Sequence, residues 1–131
     1  QVLATDIDQN VLEKAKIGRY SPSSMRDIPK THLSAYFRSN GSDYEISAEV
    51  KKCVRFQRHN LLADPFGQDF HLIICRNVMI YFTDEAKDAL YAKFSRALKQ
   101  GGYLFVGGTE QIIQPQKYQL EMVDTFFYRK L

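Results

Sequence analysis

The stretch from Phe70 to Val106 constrains the fold more than any other part of the chain. Phe70-His71-Leu72-Ile73-Ile74-Cys75 is short and almost continuously apolar, as expected for a central parallel strand buried on both faces. A helix is expected next, at about 84–98, with Ala86, Ala89, Leu90, Phe94, Ala97 and Leu98 forming one face. Thr83 is placed to cap its start, Asp84 and Glu85 lie at the positive end of its dipole, and Lys99 lies at the negative end. Gly101-Gly102 is expected to end the helix, and Tyr103-Leu104-Phe105-Val106 reads as the next buried strand. Strand, helix and strand in this order imply an α/β fold with a parallel sheet.

The first half opens the same way. Residues 1–8 read as a short buried strand running into a turn, and a helix is expected at about 9–17. Asp8 can cap that helix, Ile7 and Leu12 have the spacing of a hydrophobic staple, and Gly18 is a plausible stop. Ser21 to Ser24 can start a short helix that Pro29 interrupts, and Leu33, Tyr36 and Phe37 recur at helical spacing. The turn signal Ser39-Asn40-Gly41-Ser42-Asp43, flanked by Tyr36-Phe37-Arg38 and Tyr44-Glu45-Ile46, predicts a small hairpin. Glu49 to Lys52 reads as a single helical turn, and Cys53 to Arg58 alternates like a half-buried strand. The region at about 36–58 breaks the alternation and is expected to be a small antiparallel β insert. Two aromatic-rich segments near 117–123 and 125–130 are expected to pair antiparallel, which makes the sheet mixed at one edge. A length of 131 residues suits one domain over 1–131. The chain begins inside what reads as a strand, with no initiator Met, as expected for part of a longer protein.

Composition narrows the function classes. The formal charge is +3, with Lys and Arg scattered among acids, so a dedicated nucleic-acid surface is not indicated, while an acidic protein partner is compatible. Cys53 and Cys75 stand in different segments without a CxxC, and His32, His59 and His71 show no ligand spacing, so no metal site is expected. Reduced cysteines and the lack of any apolar run near 20 residues point to a cytoplasmic protein without membrane insertion.

Ligands of open α/β sheets bind beyond the carboxyl ends of the strands. Three polar clusters fall there: Thr5-Asp6-Ile7-Asp8, His59-Asn60-Leu61-Leu62 and Arg76-Asn77. Asp6 is placed to accept from both hydroxyls of a ribose, although an Asp also finishes many strands. Asn60 offers an amide to an adenine edge, with Leu61 adding a backbone N–H, although Asn in such a loop is commonly a turn residue. Arg76, a cation just past a buried strand, has to be solvated, paired or aimed at a ligand. Tyr81 and Phe82 most simply belong to the core. No Ser/His/Asp or Cys/His arrangement and no P-loop is present.

Four strings carry a resemblance: Leu-Ala-Thr-Asp-Ile-Asp at 3–8, Asn-Leu-Leu at 60–62, Cys-Arg-Asn-Val-Met-Ile-Tyr-Phe at 75–82 and Leu-Phe-Val-Gly-Gly-Thr-Glu at 104–110. In order and spacing the chain resembles the CheR family of chemotaxis receptor methyltransferases, from the first residue to about Tyr128. The resemblance implies a Rossmann-like, S-adenosylmethionine-dependent methyltransferase sheet with a small inserted β subdomain. It assigns the cofactor ribose to Asp6, the adenine border to Asn60 and Leu61, the cofactor and reacting methyl to Arg76 and Asn77, and the lining of the transfer site to Tyr81. The catalytic pair is thus expected to be Arg76 and Tyr81.

The implied reaction is methylation of glutamate carboxylates on the cytoplasmic signalling domain of methyl-accepting chemotaxis receptors, with S-adenosylhomocysteine as the second product. Family members carry a helical domain, a first strand and a cofactor loop ahead of the point where this chain starts, so these 131 residues alone are expected to bind cofactor poorly and to be inactive. The insert reads as shorter than in relatives that grip a receptor's C-terminal tether, and independence from that tether is expected. A related methyltransferase of small molecules and a noncatalytic receptor-docking module are the alternatives. A nicotinamide dehydrogenase fits less well, since no Gly-x-Gly-x-x-Gly is present.

Overall fold

A computed structural model describes residues 1–108 and 110–131. The chain forms two compact units, Gln1–Asn60 and Leu61–Leu131.

In the first unit, β1 (Val2–Asp6) and β5 (Val54–Arg58) pair in parallel, with Asp6 opposite Arg58 at the shared carboxyl end. Between them runs α1 (Gln9–Ile17). Its N-terminus is closed by the Asp8 carboxylate, which accepts from Asn10 N–H at 2.8 Å, and its C-terminus by Gly18 in the left-handed conformation. Leu12 is buried, but Ile7 is exposed, so the expected staple does not bury its first member. The rest of the unit is a three-stranded antiparallel sheet in the order β2 (Arg19–Tyr20), β4 (Asp43–Ile46), β3 (Phe37–Asn40), accompanied by α2 (Lys30–Tyr36) and α3 (Ala48–Lys52). The antiparallel element therefore starts earlier and ends earlier than the expected 36–58. It recruits Arg19–Tyr20, and residues 54–58 belong with β1. Val54 and Phe56 turn inward while Arg55 and Gln57 face water, which is the alternation the sequence shows.

The second unit is a four-stranded sheet in the order β6 (Phe70–Ile74), β7 (Leu98–Phe105), β9 (Phe127–Lys130), β8 (Leu120–Asp124). β6 and β7 are parallel, and the remaining pairs are antiparallel. The α/β architecture with an antiparallel C-terminal hairpin is thus present. The core forms where α4 (Asp84–Ala97) brings Leu90, Tyr91 and Phe94 against Leu104, Leu120 and Tyr128. Each large apolar side chain buried this way stabilises the unit by about 1.5–3 kcal/mol.

Two local expectations are corrected. The helix ends at Ala97 rather than at the glycine pair, because Leu98 already begins β7 opposite Phe70. Gly101 and Gly102 instead lie inside the strand, where the pairing register shifts; a Cβ at Gly102 would meet the Phe70 carbonyl oxygen at 3.0 Å. β6 is also not buried on both faces. Among the described residues it pairs only with β7, and while Phe70 and Ile73 pack against the core cluster, Leu72 and Ile74 remain 50 % and 62 % exposed.

Candidate functional site

The carboxyl ends of the parallel strands carry the expected side chains, and the backbone fixes them locally. In the first unit, Asp6 closes β1 half-buried, and its Oδ1 accepts from the Asp8 N–H at 2.9 Å. That bond orients the carboxylate at the strand end, while Asp8 is occupied as the helix cap. Of the two acids, Asp8 is the one that caps the helix, as the sequence implies. His59 N–H donates to the Asp6 carbonyl at 2.9 Å, and Arg58 Nε donates to the Ile7 carbonyl at 3.0 Å. The chain leaving β5 is thereby held against the end of β1, and Asn60 follows immediately, half-buried. Asp6 and Asn60 so issue from the same end of neighbouring strands.

In the second unit, Leu61 is half-buried and packs against the core cluster, with Lys93 Nζ 3.5 Å from its carbonyl oxygen. Arg76 and Asn77 leave the carboxyl end of β6, and both are exposed. Asn77 has φ +58°, a left-handed conformation that Asn tolerates better than most residues. The chain then makes a short 3-10 turn at Met79–Tyr81. Met79 is buried and anchors the turn, and Phe82 packs on the core. Tyr81 does not follow them: it is 85 % exposed, so the simple assignment of Tyr81 to the core is corrected. A turn between two inward side chains points the residue beside them into solvent.

Three residues with no role assigned from sequence lie at or beyond the carboxyl ends of β6 and β7. Cys75 N–H donates to the Phe105 carbonyl at 2.9 Å, which joins the ends of β6 and β7. Gly107, two residues beyond, has φ +80°, and a Cβ there would lie 2.9 Å from Arg76 Cγ and 3.2 Å from its Nε. The stem of Arg76 therefore rests in the space that a side chain at 107 would fill. Glu110 is buried at 7 % exposure, and Lys87 Nζ of α4 lies 3.4 Å from its carboxylate. Burial, and secondarily the Glu110 charge, pushes the Cys75 thiol up to about 11, and the same two causes, burial first, raise Tyr91. The signal for Gly107 and Glu110 was present in the Val106 to Glu110 string, but their partners come from another strand and a helix. Thr109, in the same string, lies outside the described residues.

Two surface depressions are lined by none of the expected site residues. One, of about 430 Å³, lies over Leu72, Tyr103, Val123, Asp124 and Phe127. The other lies between α2 and the antiparallel sheet, around Tyr36, Arg38, Glu45 and Lys51. Among the described residues no group of three or more His, Cys, Asp or Glu could hold a metal ion, and no helix is long and apolar enough to cross a membrane.

A family model described as "CheR methyltransferase, SAM binding domain" matches residues 1–127. Chemotaxis protein methyltransferases of Listeria innocua and Listeria monocytogenes are each 43 % identical to the chain over 129 residues, covering 98 % of this chain and 49 % of the relative. The chain thus spans about half the length of the curated relatives it matches. A crystal structure of a TehB-like SAM-dependent methyltransferase from Corynebacterium glutamicum superposes with a TM-score of 0.56 at 17 % identity, covering 98 % of this chain and 65 % of that chain. At that identity the likeness is one of fold. With a family match over nearly its whole length, the chain belongs to the CheR methyltransferase family, matching the model of its S-adenosylmethionine-binding domain.

Proposed function

We propose that the intact protein carrying this chain transfers methyl groups from S-adenosylmethionine to glutamate side chains of chemotaxis receptors, forming glutamyl methyl esters. The observation that carries this reading is the Asp6 carboxylate, oriented at the end of β1 by the Asp8 N–H and flanked by the chain that leads from β5 to Asn60. An oriented carboxylate at a strand end is the acceptor a ribose diol requires, so the residues present fit the nucleoside part of the cofactor. In this reading Asp6 holds the ribose, Asn60 and Leu61 border the adenine, and Arg76 and Asn77 lie along the reactive end.

S-adenosylmethionine, when bound, supplies an electrophilic methyl group. A glutamate side chain, with an ordinary pKa of roughly 4.3, is already ionised near neutrality, so the protein needs no general base. Its task is alignment of the carboxylate, which converts an encounter into a near-attack geometry. Arg76 orients that carboxylate or a neighbouring acid through its planar guanidinium, and the exposed Tyr81 hydroxyl lines the methyl path. Arg76→Lys keeps the charge but not the fork; unchanged turnover in the intact enzyme would exclude orientation by Arg76.

Residues 1–60 contain ten Lys and Arg against seven Asp and Glu, while residues 61–131 contain eight of each. The whole positive surplus therefore lies in the first unit, which suits an acidic partner surface. The receptor is engaged without dependence on a C-terminal tether, so intact and tail-truncated receptors should be captured alike in pull-downs. The reaction itself is tested by label. Methyl transferred from cofactor to purified receptor and released by base as methanol supports the proposal; label found in a small molecule, or docking without transfer, overturns it.

A further inference from the structure

The second unit contains a buried charge that the proposed reaction does not use. Glu110 is 7 % exposed and pairs with Lys87 at 3.4 Å, and the Lys87 side chain is itself only 24 % exposed. A buried ion pair seldom adds much net stability, because desolvation offsets the attraction; its clearer consequence is to fix one arrangement of the segments it joins. Here those segments are well defined. Lys87 lies in the first turns of α4, the helix entered directly from Arg76 through Thr83, and its N–H donates to the Thr83 carbonyl at 2.9 Å. Glu110 lies in the connection that leaves β7, three residues past Gly107.

The two connections leave the carboxyl ends of adjacent parallel strands and are fastened at successive points. Cys75 N–H to Phe105 O joins the strand ends. The Arg76 stem then packs against Gly107. The Lys87–Glu110 pair ties Glu110 to α4. Val106 N–H donates to the Phe126 carbonyl at 3.1 Å and Ile112 N–H to the Tyr128 hydroxyl at 2.9 Å, so the chain is held on either side of Gly107 and Glu110, and the pair adds the tie to α4.

We propose that Lys87 and Glu110 are positioning residues for Arg76, acting by holding the connection after β7 against α4 so that Gly107 stays under the Arg76 stem. The inference rests on the reading of Arg76 as the residue that orients the substrate carboxylate. Its test is a double-mutant cycle in the intact enzyme, using labelled-methyl transfer to receptor for kcat and urea denaturation for stability. Glu110→Gln is expected to lower kcat at least tenfold in the presence of Arg76 but less than twofold in an Arg76→Ala background, while its shift of the urea midpoint is the same in both. A purely structural role would lower kcat by the same factor in both backgrounds, and that result, or no loss of kcat at all, overturns the proposal. If Glu110→Gln does not fold, Lys87→Met breaks the pair from the more exposed side and has to give the same coupling. If Arg76→Ala alone leaves kcat unchanged, the reading of Arg76 fails and takes the inference with it; loss of kcat in Arg76→Ala with additive effects of Glu110→Gln overturns only the positioning role.

Discussion

Gly107→Ala separates two effects that a single substitution normally mixes. The first is backbone strain. At φ +80° an Ala side chain is disfavoured by about 1–2 kcal/mol relative to glycine. The second is steric: the new methyl would stand 2.9 Å from Arg76 Cγ, well inside the ~3.5–4.0 Å optimum for two carbons. Arg76 is exposed, so its side chain can swing aside instead of being compressed. The clash should therefore appear as a displaced guanidinium and not as further loss of stability. Gly101 provides the control, since it has φ +79° with no atom within 4 Å of its would-be Cβ. Both Gly101→Ala and Gly107→Ala are expected to lose about 1–2 kcal/mol in urea denaturation, from strain alone. Only Gly107→Ala is expected to lower methyl transfer, by roughly 10–100-fold, because a displacement near 1 Å costs about that much in positioning. If the two variants transfer methyl at rates within a factor of two while both lose stability, the contact between Gly107 and Arg76 has no part in function and the reasoning is refuted.

Two further expectations concern the second unit. Tyr128 is fully buried and its hydroxyl accepts from the Ile112 N–H at 2.9 Å, so Tyr128→Phe strands a buried donor and should cost about 1–3 kcal/mol in urea denaturation; a loss below about 0.5 kcal/mol would contradict that accounting. The two thiols should differ in kind, with exposed Cys53 titrating rapidly with a chromogenic disulfide at pH 8 and buried Cys75, whose thiol is pushed up to about 11, titrating only after unfolding. Because the folded state favours the protonated Cys75, its contribution to stability is complete below the ordinary thiol pKa and is lost as pH rises from about 9 to about 11. Equal reaction of both thiols in the native protein would overturn that assignment.

The features legible in the sequence are those written in neighbouring residues. Asp8, Gly18 and Thr83 close helix ends through groups at most four positions away, and each does so as expected. The turn at Gly41 joins β3 to β4 for the same local reason. What escaped depends on distant partners. Arg19–Tyr20 is a strand only because β4 lies alongside it, and two residues carry no periodicity of their own. Leu98 and Lys99 continue a helical pattern, yet pairing with β6 draws them into β7. Leu72 and Ile74 look buried in a string of apolar residues, but burial is decided by what covers the sheet. The strand-end residues could be found because strand and turn signals place them there; the contact of Gly107 with Arg76 and the pairing of Glu110 with Lys87 could not, since both form only between segments distant in the sequence.

The claim underlying the whole account is that the acid at the end of β1 holds the cofactor's ribose, and its neighbour two residues on supplies the comparison. Asp6→Asn retains the Oδ1 acceptor for the Asp8 N–H but removes the charge and the second acceptor oxygen. Asp8→Asn retains an equally good helix cap. Calorimetric titration of the intact protein with S-adenosylhomocysteine should show affinity reduced about 10–100-fold by Asp6→Asn, the equivalent of losing one or two charge-assisted hydrogen bonds, and unchanged by Asp8→Asn. Equal affinity for wild type and Asp6→Asn would contradict the account at its foundation.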